Sequence, residues 1–416
     1  VTKKVAGSAT AAHAAGDARL AAFLSPRGWQ FGVLGAAFTL LAAGGALVTH
    51  LISMARDGVI PNMIDFRVFW GAGRLAVEGT PLASFDMTQL AGAAGLAADH
   101  YLPWLYPPAM LMLVTPLGLM SFSLAWVLFT LVSVLAFALA VRPFAAGVLP
   151  VWLGFGLAPA CLPALLLGQN TLLWVAGLLA ALAALRSHRT VLAGVLIGLL
   201  TVKPQAGLLL PFALLGMGAW RTIIAACVTT VLLAALPTLV YGPAYWNTMI
   251  EAAGLQADLV FGQAANITLL SSPFSLLAGF GLPLGSAMAM QWAITGLCAL
   301  FVLIVWRARV SDDLKAASLF CAIPLALPYF WYYDAVFLAV AALFLFRAGA
   351  LRPQLPDLGL LVLLWLGAAP VSIGRLVGGT SEVSARILVV PVALAALVLC
   401  LSVVMRRAAT TAEPNI

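Results

Sequence analysis

Of the 416 residues, 63% are hydrophobic and only 8% are charged, with a mean hydropathy of +1.09. A water-soluble globular protein carries about 25% charged residues, so that class is excluded. A bilayer span needs about 20 apolar residues, which gives this length room for roughly a dozen helices. The net charge of +7 fits basic residues at membrane flanks, which set orientation. No basic cluster stands in a soluble-looking segment, and nucleic acid is excluded as a partner.

In chain order, Lys3, Lys4, Arg19 and Arg27 mark residues 1–28 as a cytoplasmic tail. The apolar run 29–52 is too long for a signal-peptide core and reads as a retained first helix. Charge then appears abruptly. Residues 54–108 hold Arg56, Asp57, Asp65, Arg67, Arg74, Glu78, Asp86, Asp99 and His100, including five of the fourteen acidic residues. This stretch reads as a catalytic loop with Asp65 at its centre, followed by a helix-like, aromatic-rich segment. The run 109–141 is too long for one span and is broken at Pro116 and Ser121. It divides into a re-entrant or interfacial helix over 108–120 and a second span over 121–141. Further spans are expected at 147–167, 171–185, 190–203, 205–219 and 222–241. A second loop on the Asp65 side precedes spans at 286–306, 314–328, 335–346, 357–373 and 387–405. Residues 29–405 thus form one transmembrane domain, and 406–416 a cytoplasmic tail.

The charges agree with this threading. Fifteen Lys and Arg residues fall on the N-terminal side of the membrane and six on the far side, the asymmetry expected of cytoplasmic loops. The pair 190–203 and 205–219 is split by Lys203-Pro204, and neither half comfortably crosses about 30 Å of hydrocarbon. A hairpin whose apex stops inside the protein is the expectation, because irregular backbone at that depth needs a protein-lined or watery cavity.

By this topology one membrane face collects Asp65, Tyr106-Pro107-Pro108, Gly168-Gln169-Asn170, Lys203-Pro204-Gln205, the run Tyr329 to Asp334, and Arg375 with Arg386. Each has a plain alternative. Asp65 is either a helix cap or a general base taking a proton from an acceptor hydroxyl. Gln169 and Asn170 are an amide turn or a pair that binds sugar hydroxyls. Lys203 either snorkels to the interface or meets an anion such as a phosphate. Trp331 and Tyr333 are an interfacial aromatic belt or a surface for sugar rings and isoprenoid chains, with Asp334 adding a carboxylate. Arg375 and Arg386, flanking the polar stretch from Val377 to Ser384, bind phosphate or mark the interface. Asp86 and Asp99 read as solvated loop carboxylates, and Asp312 and Asp313 carry no assigned chemistry. The five cysteines lie far apart in apolar runs and read as small packing residues. None has metal-ligand spacing, and no metal or other cofactor is expected.

At these residues the chain resembles the GT-C glycosyltransferases, and among them family 87, which includes polyprenyl-phosphate-mannose-dependent mannosyltransferases. The likeness extends from about residue 29 to 400. It rests on Asp65-Phe66 with Trp70, Gly73 and Gly79, then Tyr106-Pro107-Pro108 with Pro116-Leu117, and Gly168-Gln169-Asn170. It continues through Ala193-Gly194, Gly198-Leu199 and Lys203-Pro204 to the segment from Pro328 to Asp334. The resemblance implies an all-α multi-span bundle of about 12 transmembrane helices with a helical first periplasmic loop, in the bacterial inner membrane. It implies a polyprenyl-phosphate-linked sugar donor, a lipid or glycan acceptor, and Asp65 as base on the periplasmic face. Some relatives bind a divalent metal through paired acids in that loop, but Asp65 has no such neighbour. A transporter or flippase of lipid-linked sugars, and an O-antigen polymerase or ligase, are the rival classes. The first calls for repeated halves with broken helices, the second for a large Arg-rich late loop, and neither feature is present.

Overall fold

The computed structural model of the chain describes residues 14–19, 28–58, 65–97, 103–261, 270–352, 354–378 and 385–412. Lys3, Lys4, Arg27, Asp99, His100, residues 59–64 and 379–384, and the side chain of Arg375 lie outside the described residues. Among those described the fold is helical, and the only β pairing is a lone antiparallel bridge between Leu270 and Trp331.

Among the described residues, six helices are long and apolar enough to cross a membrane: Gly32–Asp57, Phe122–Phe144, Leu149–Leu167, Trp220–Tyr241, Leu284–Arg307 and Ala385–Arg406. Five shorter apolar helices accompany them: Pro108–Leu119, Thr171–Arg186, Thr190–Val202, Pro204–Met217 and Leu355–Leu366. The outer helices turn large aliphatic side chains outward, Ile224, Val228, Val231 and Leu239 among them, as a hydrocarbon environment requires. This is a multi-span helical membrane protein.

Several boundaries differ from expectation for local reasons. The first helix continues past residue 52 to Asp57, because nothing breaks it before Gly58, whose φ is +66°. Arg56 and Asp57 therefore lie on its last turn. The span expected at 357–373 is interrupted. Leu355–Leu366 ends at Gly367 (φ +52°), and Ala369–Gly378 starts afresh. A Cβ on Gly367 would lie 2.8 Å from that of Ala160, so both the turn and the close approach require glycine. Arg375 thereby belongs to a helix. The helix expected from 314 begins at Asp312, capped by Ser311, whose Oγ accepts from the Leu314 N–H at 3.3 Å.

Close helix packing uses small residues, as membrane helices commonly do. A Cβ at Gly194 would meet the Thr222 carbonyl at 2.4 Å, and one at Gly198 would meet Thr229 Cβ at 2.5 Å. Two glycines four apart thus let Thr190–Leu199 lie directly against Trp220–Tyr241.

The described residues from Asp65 to Met120 share one core with the helix that follows and with Tyr245. Phe66, Phe69, Ala72 and Leu75 form one stripe of the Phe66–Val77 helix and pack with Trp104, Phe122, Trp126, Phe129 and Tyr245. Gly73 and Gly118 meet backbone to backbone, since a Cβ on Gly118 would fall 2.3 Å from the Gly73 carbonyl carbon. Trp104 Nε1 donates to Tyr245 Oη at 2.8 Å, and that hydroxyl donates to the Tyr106 carbonyl at 3.0 Å. The helix Ala244–Phe261, for which the sequence gives no clear signal, is thereby tied to that core.

The arginines here are structural. Fully buried Arg67 donates through Nη1 to the carbonyls of Ala94 (2.9 Å) and Gly95 (3.1 Å), and Arg74 donates to Ala93 at 2.9 Å. These carbonyls end the Met87–Ala93 helix, where cations offset the dipole and its unpaired acceptors. Burial lowers the Arg67 guanidinium to about 10, so it stays charged at neutral pH. At the other end of that helix exposed Asp86 accepts from the N–H groups of Thr88 and Gln89 at 2.9 and 3.0 Å. The Gln89 bond leads in holding its carboxyl below the usual range. The capping contribution is therefore complete above the ordinary carboxylate pKa and lost as pH falls through the lowered one.

Arg67→Leu strands two buried carbonyls and should destabilise the protein by about 3 kcal/mol, read as a lower melting temperature in detergent. Asp86→Asn keeps a good capping residue and should melt within about 0.5 kcal/mol of the wild type.

Candidate active site

The Lys203-Pro204 break forms the tip of a hairpin, with short 3₁₀ turns over Leu200–Val202 and Pro204–Gly207 on either side. Lys203 does not snorkel. It is 7% exposed, and its Nζ donates to Asp334 Oδ1 at 2.8 Å and to Thr171 Oγ1 at 3.4 Å. Thr171 Oγ1 donates in turn to the same Asp334 oxygen at 2.5 Å. Asp334 is 4% exposed, and its Oδ2 accepts the Trp331 backbone N–H at 3.3 Å. The anion that Lys203 requires is thus supplied by this chain, 131 residues away.

Asp65 stands at the N-cap position of Phe66–Val77 but does not cap it with its side chain. Its Oδ2 instead accepts from Gln169 Nε2 at 2.8 Å. The partner is presented by Gly168, which ends Leu162–Leu167 in the left-handed region (φ +69°, ψ +38°). A Cβ there would lie 2.6 Å from Phe66 Cβ, so glycine is what lets the Gln169 backbone approach the Asp65 helix. Asn170 is at the N-cap position of Thr171–Arg186 and likewise makes no side-chain cap bond. Its side chain lies beside the Tyr106 phenol instead. Two residues of the types that best cap helices occupy cap positions, and both side chains turn elsewhere.

Aromatic rings wall the space between. Trp331 and Tyr333 are stacked, with centroids 5.8 Å apart and planes 6° from parallel, and Tyr329 meets Trp331 edge-on at 5.4 Å. Lys203 Nζ lies 5.6 Å from the Tyr333 ring centre. Burial pushes the phenols of Tyr106, Tyr329 and Tyr333 up, and the carboxylates of Asp334 and Asp65 push all three further. Both carboxylates therefore act on one tyrosine cluster, whose members remain neutral hydroxyls.

The structure thus brings together Asp65, Tyr106, Gln169, Asn170, Lys203, Tyr329, Trp331, Tyr333 and Asp334, and adds Thr171. A threonine opening an apolar helix carries no chemical signature in sequence, so Thr171 could not be picked out in advance. Gln205 has an exposed side chain at the hairpin tip. Arg386 turns to the Ser275 carbonyl at 3.0 Å, so its guanidinium binds the Pro273–Gly279 helix. Among the described residues no group of three or more His, Cys, Asp or Glu side chains is arranged to hold a metal ion.

Lys203→Met leaves Asp334 buried without its cation and should cost about 3–5 kcal/mol. The pair Lys203→Met with Asp334→Leu should recover most of that loss. Melting of the two single variants and the double variant closes the cycle.

The sequence model of glycosyltransferase family 87 matches residues 104–328, over half of the 416 residues. The matched stretch contains Tyr106, Gln169, Asn170, Thr171 and Lys203. It begins after Asp65 and stops one residue short of Tyr329. No curated protein and no solved structure matches the chain. A helical membrane bundle with a buried polar cluster, carrying that family's sequence over most of its middle, is a membrane glycosyltransferase: the chain belongs to glycosyltransferase family 87.

Proposed function

We propose that the protein transfers a hexose, mannose by its resemblance, from a polyprenyl-phosphate-linked donor to a hydroxyl of a lipid or glycan acceptor. The reaction takes place on the periplasmic face of the bacterial inner membrane. The observation that carries this reading is the diverted Asp65 carboxylate, held by a buried amide beside the cluster of Lys203, Asp334 and the tyrosines.

The acceptor oxygen attacks the anomeric carbon while its proton passes to Asp65. The bond from that carbon to the phosphate oxygen breaks, and its electron pair leaves with the lipid phosphate. Lys203, already neutralised by Asp334, gives the phosphate a cation to share without ever standing unpaired. Trp331, Tyr333 and Tyr329 offer flat apolar faces to a sugar ring or an isoprenoid chain. Lipid phosphate is a good leaving group, and Asp65 lies between Ile64 and Phe66 with no adjacent acid to form a metal-binding pair, so this mechanism needs no metal.

The orientation rests on the charge distribution. Asp65, Gln169, Lys203 and Asp334 meet in one cluster. Arg186, Asp313 and Arg347, which the threading puts on the opposite face, meet in another.

Proton transfer by a positioned group contributes about 10²–10⁴-fold. Asp65→Asn should therefore lower transfer of radiolabelled mannose from polyprenyl-phosphate mannose by about two orders of magnitude or more, with insertion unchanged. A rate near wild type would sink the assignment. Activity should persist in excess EDTA; loss on chelation with recovery on adding magnesium or manganese would point to metal ligands outside this set. Single cysteines placed within residues 54–108 of a cysteine-free background should react with impermeant thiol reagents in outer-permeabilised cells. Labelling only after inner-membrane disruption would reverse the topology.

A further inference from the structure

Among the described residues, two buried acceptors in the site have no partner. Gln169 is 8% exposed and Asn170 5%, yet Gln169 Oε1 and Asn170 Oδ1 accept no hydrogen bond. The Gln169 amide nitrogen is engaged, Nε2 donating to Asp65 Oδ2 at 2.8 Å. The free oxygens belong to consecutive residues, on a turn that Gly168 alone permits. A buried polar group without a partner costs about 1–3 kcal/mol, and such groups in a folded protein call for a specific reason. Helix capping, the ordinary use of Asn at this position, is not what holds Asn170 here.

We infer that Gln169 and Asn170 form a hydroxyl-reading pair, and that Gln169 is also the positioning residue of Asp65. This rests on the reading of Asp65 as base. The amide N–H of Gln169 fixes one carboxylate oxygen and favours the charged form. Oε1 of Gln169 and Oδ1 of Asn170 accept from two O–H groups of the transferred sugar. Amide oxygens only accept, so the groups they read are donors. Free hydroxyls satisfy them, whereas deoxygenated, O-methylated or O-acylated positions do not. The class of sugar is thus one with unsubstituted hydroxyls on the edge facing Asp65, and the same two residues couple its recognition to the base.

The experiment has two arms, both using full-length protein in membranes with polyprenyl-phosphate mannose as donor. The first follows the acid limb of kcat/KM against pH. Gln169→Glu keeps the shape but replaces the donating N–H with a carboxylate, and Gln169→Leu removes both functions. Loss of the N–H raises the Asp65 pKa, so activity is lost at higher pH. The limb should move to higher pH in each variant, and Gln169→Leu, which also loses the sugar contact, should show a lower plateau above it. An unmoved limb in Gln169→Leu, which removes the N–H without adding a second carboxylate beside Asp65, overturns the positioning role. The second arm compares mannosyl donors lacking one hydroxyl at a time. The wild type should discriminate about tenfold or more against at least one of them, and Asn170→Ala should flatten one of those preferences. Equal use of all deoxy donors by the wild type, or unchanged preferences in Asn170→Ala, overturns the hydroxyl reading. If instead Asp65→Asn transfers mannose at the wild-type rate, it is the base assignment that fails. The deoxy-donor arm still decides the hydroxyl reading on its own.

Discussion

An ammonium at the tip of a hairpin that stops within the protein has to be neutralised where it stands. Asp334, 2.8 Å from Lys203 Nζ, does this, and much of the architecture follows from the requirement. Thr171, the third member, is the first residue of Thr171–Arg186, and Asp334 lies two residues before Val336–Arg347. Two helices therefore start at the ion pair. At about 1.5 Å per residue they run about 24 and 18 Å to Arg186 and Arg347, which share Asp313 at 2.5 and 3.0 Å. The fully buried Arg347 also donates to the Phe144 carbonyl at 2.7 Å and pairs with Asp17 at 2.8 Å. The same helices are thus pinned at both ends by buried charge, with apolar packing between. Replacing either cluster by apolar residues is the kind of change that leaves stability intact; what the pairs contribute is a fixed register for the side chains around them.

A second constraint is steric. Asp65 meets Gln169 only if its helix comes close to the Gly168 turn, and Gly168 against Phe66 together with Gly73 against Gly118 permits that approach. The arginines and Asp86 of the loop then serve its internal order, at the two ends of Met87–Ala93. Among the described residues, most of the charge that makes this stretch conspicuous holds it together, whereas the Asp65 carboxylate reaches out of it to Gln169.

The membrane class, a separate helix from Pro108 and the hairpin break at Lys203 were all legible, because apolar runs, prolines and isolated charges act locally. The shared face of Asp65, Gln169, Lys203 and Asp334 followed from counting spans. Pairing was not legible. Nothing in the sequence says that Lys203 meets Asp334 and not a phosphate, or that Asp313 joins two arginines more than thirty and more than a hundred residues away. Helix ends were misjudged where a breaker was late, as at Gly58, or hidden in an apolar run, as at Gly367. Tyr245, which ties a whole helix to the loop through one hydroxyl, looks in sequence like any aromatic residue near an interface.

The separation of Lys203 and Asp334 along the chain also bears on biogenesis. At about 5–20 residues per second of synthesis, the 131 residues between them take roughly 7–26 s to emerge. Throughout that interval the hairpin has its cation and lacks its anion. The ion pair can close only when the Asp334 segment has been made. The interior of the site is therefore completed late, by its most C-terminal carboxylate. A chain truncated before residue 334 should insert its hairpin yet leave Lys203 without its carboxylate.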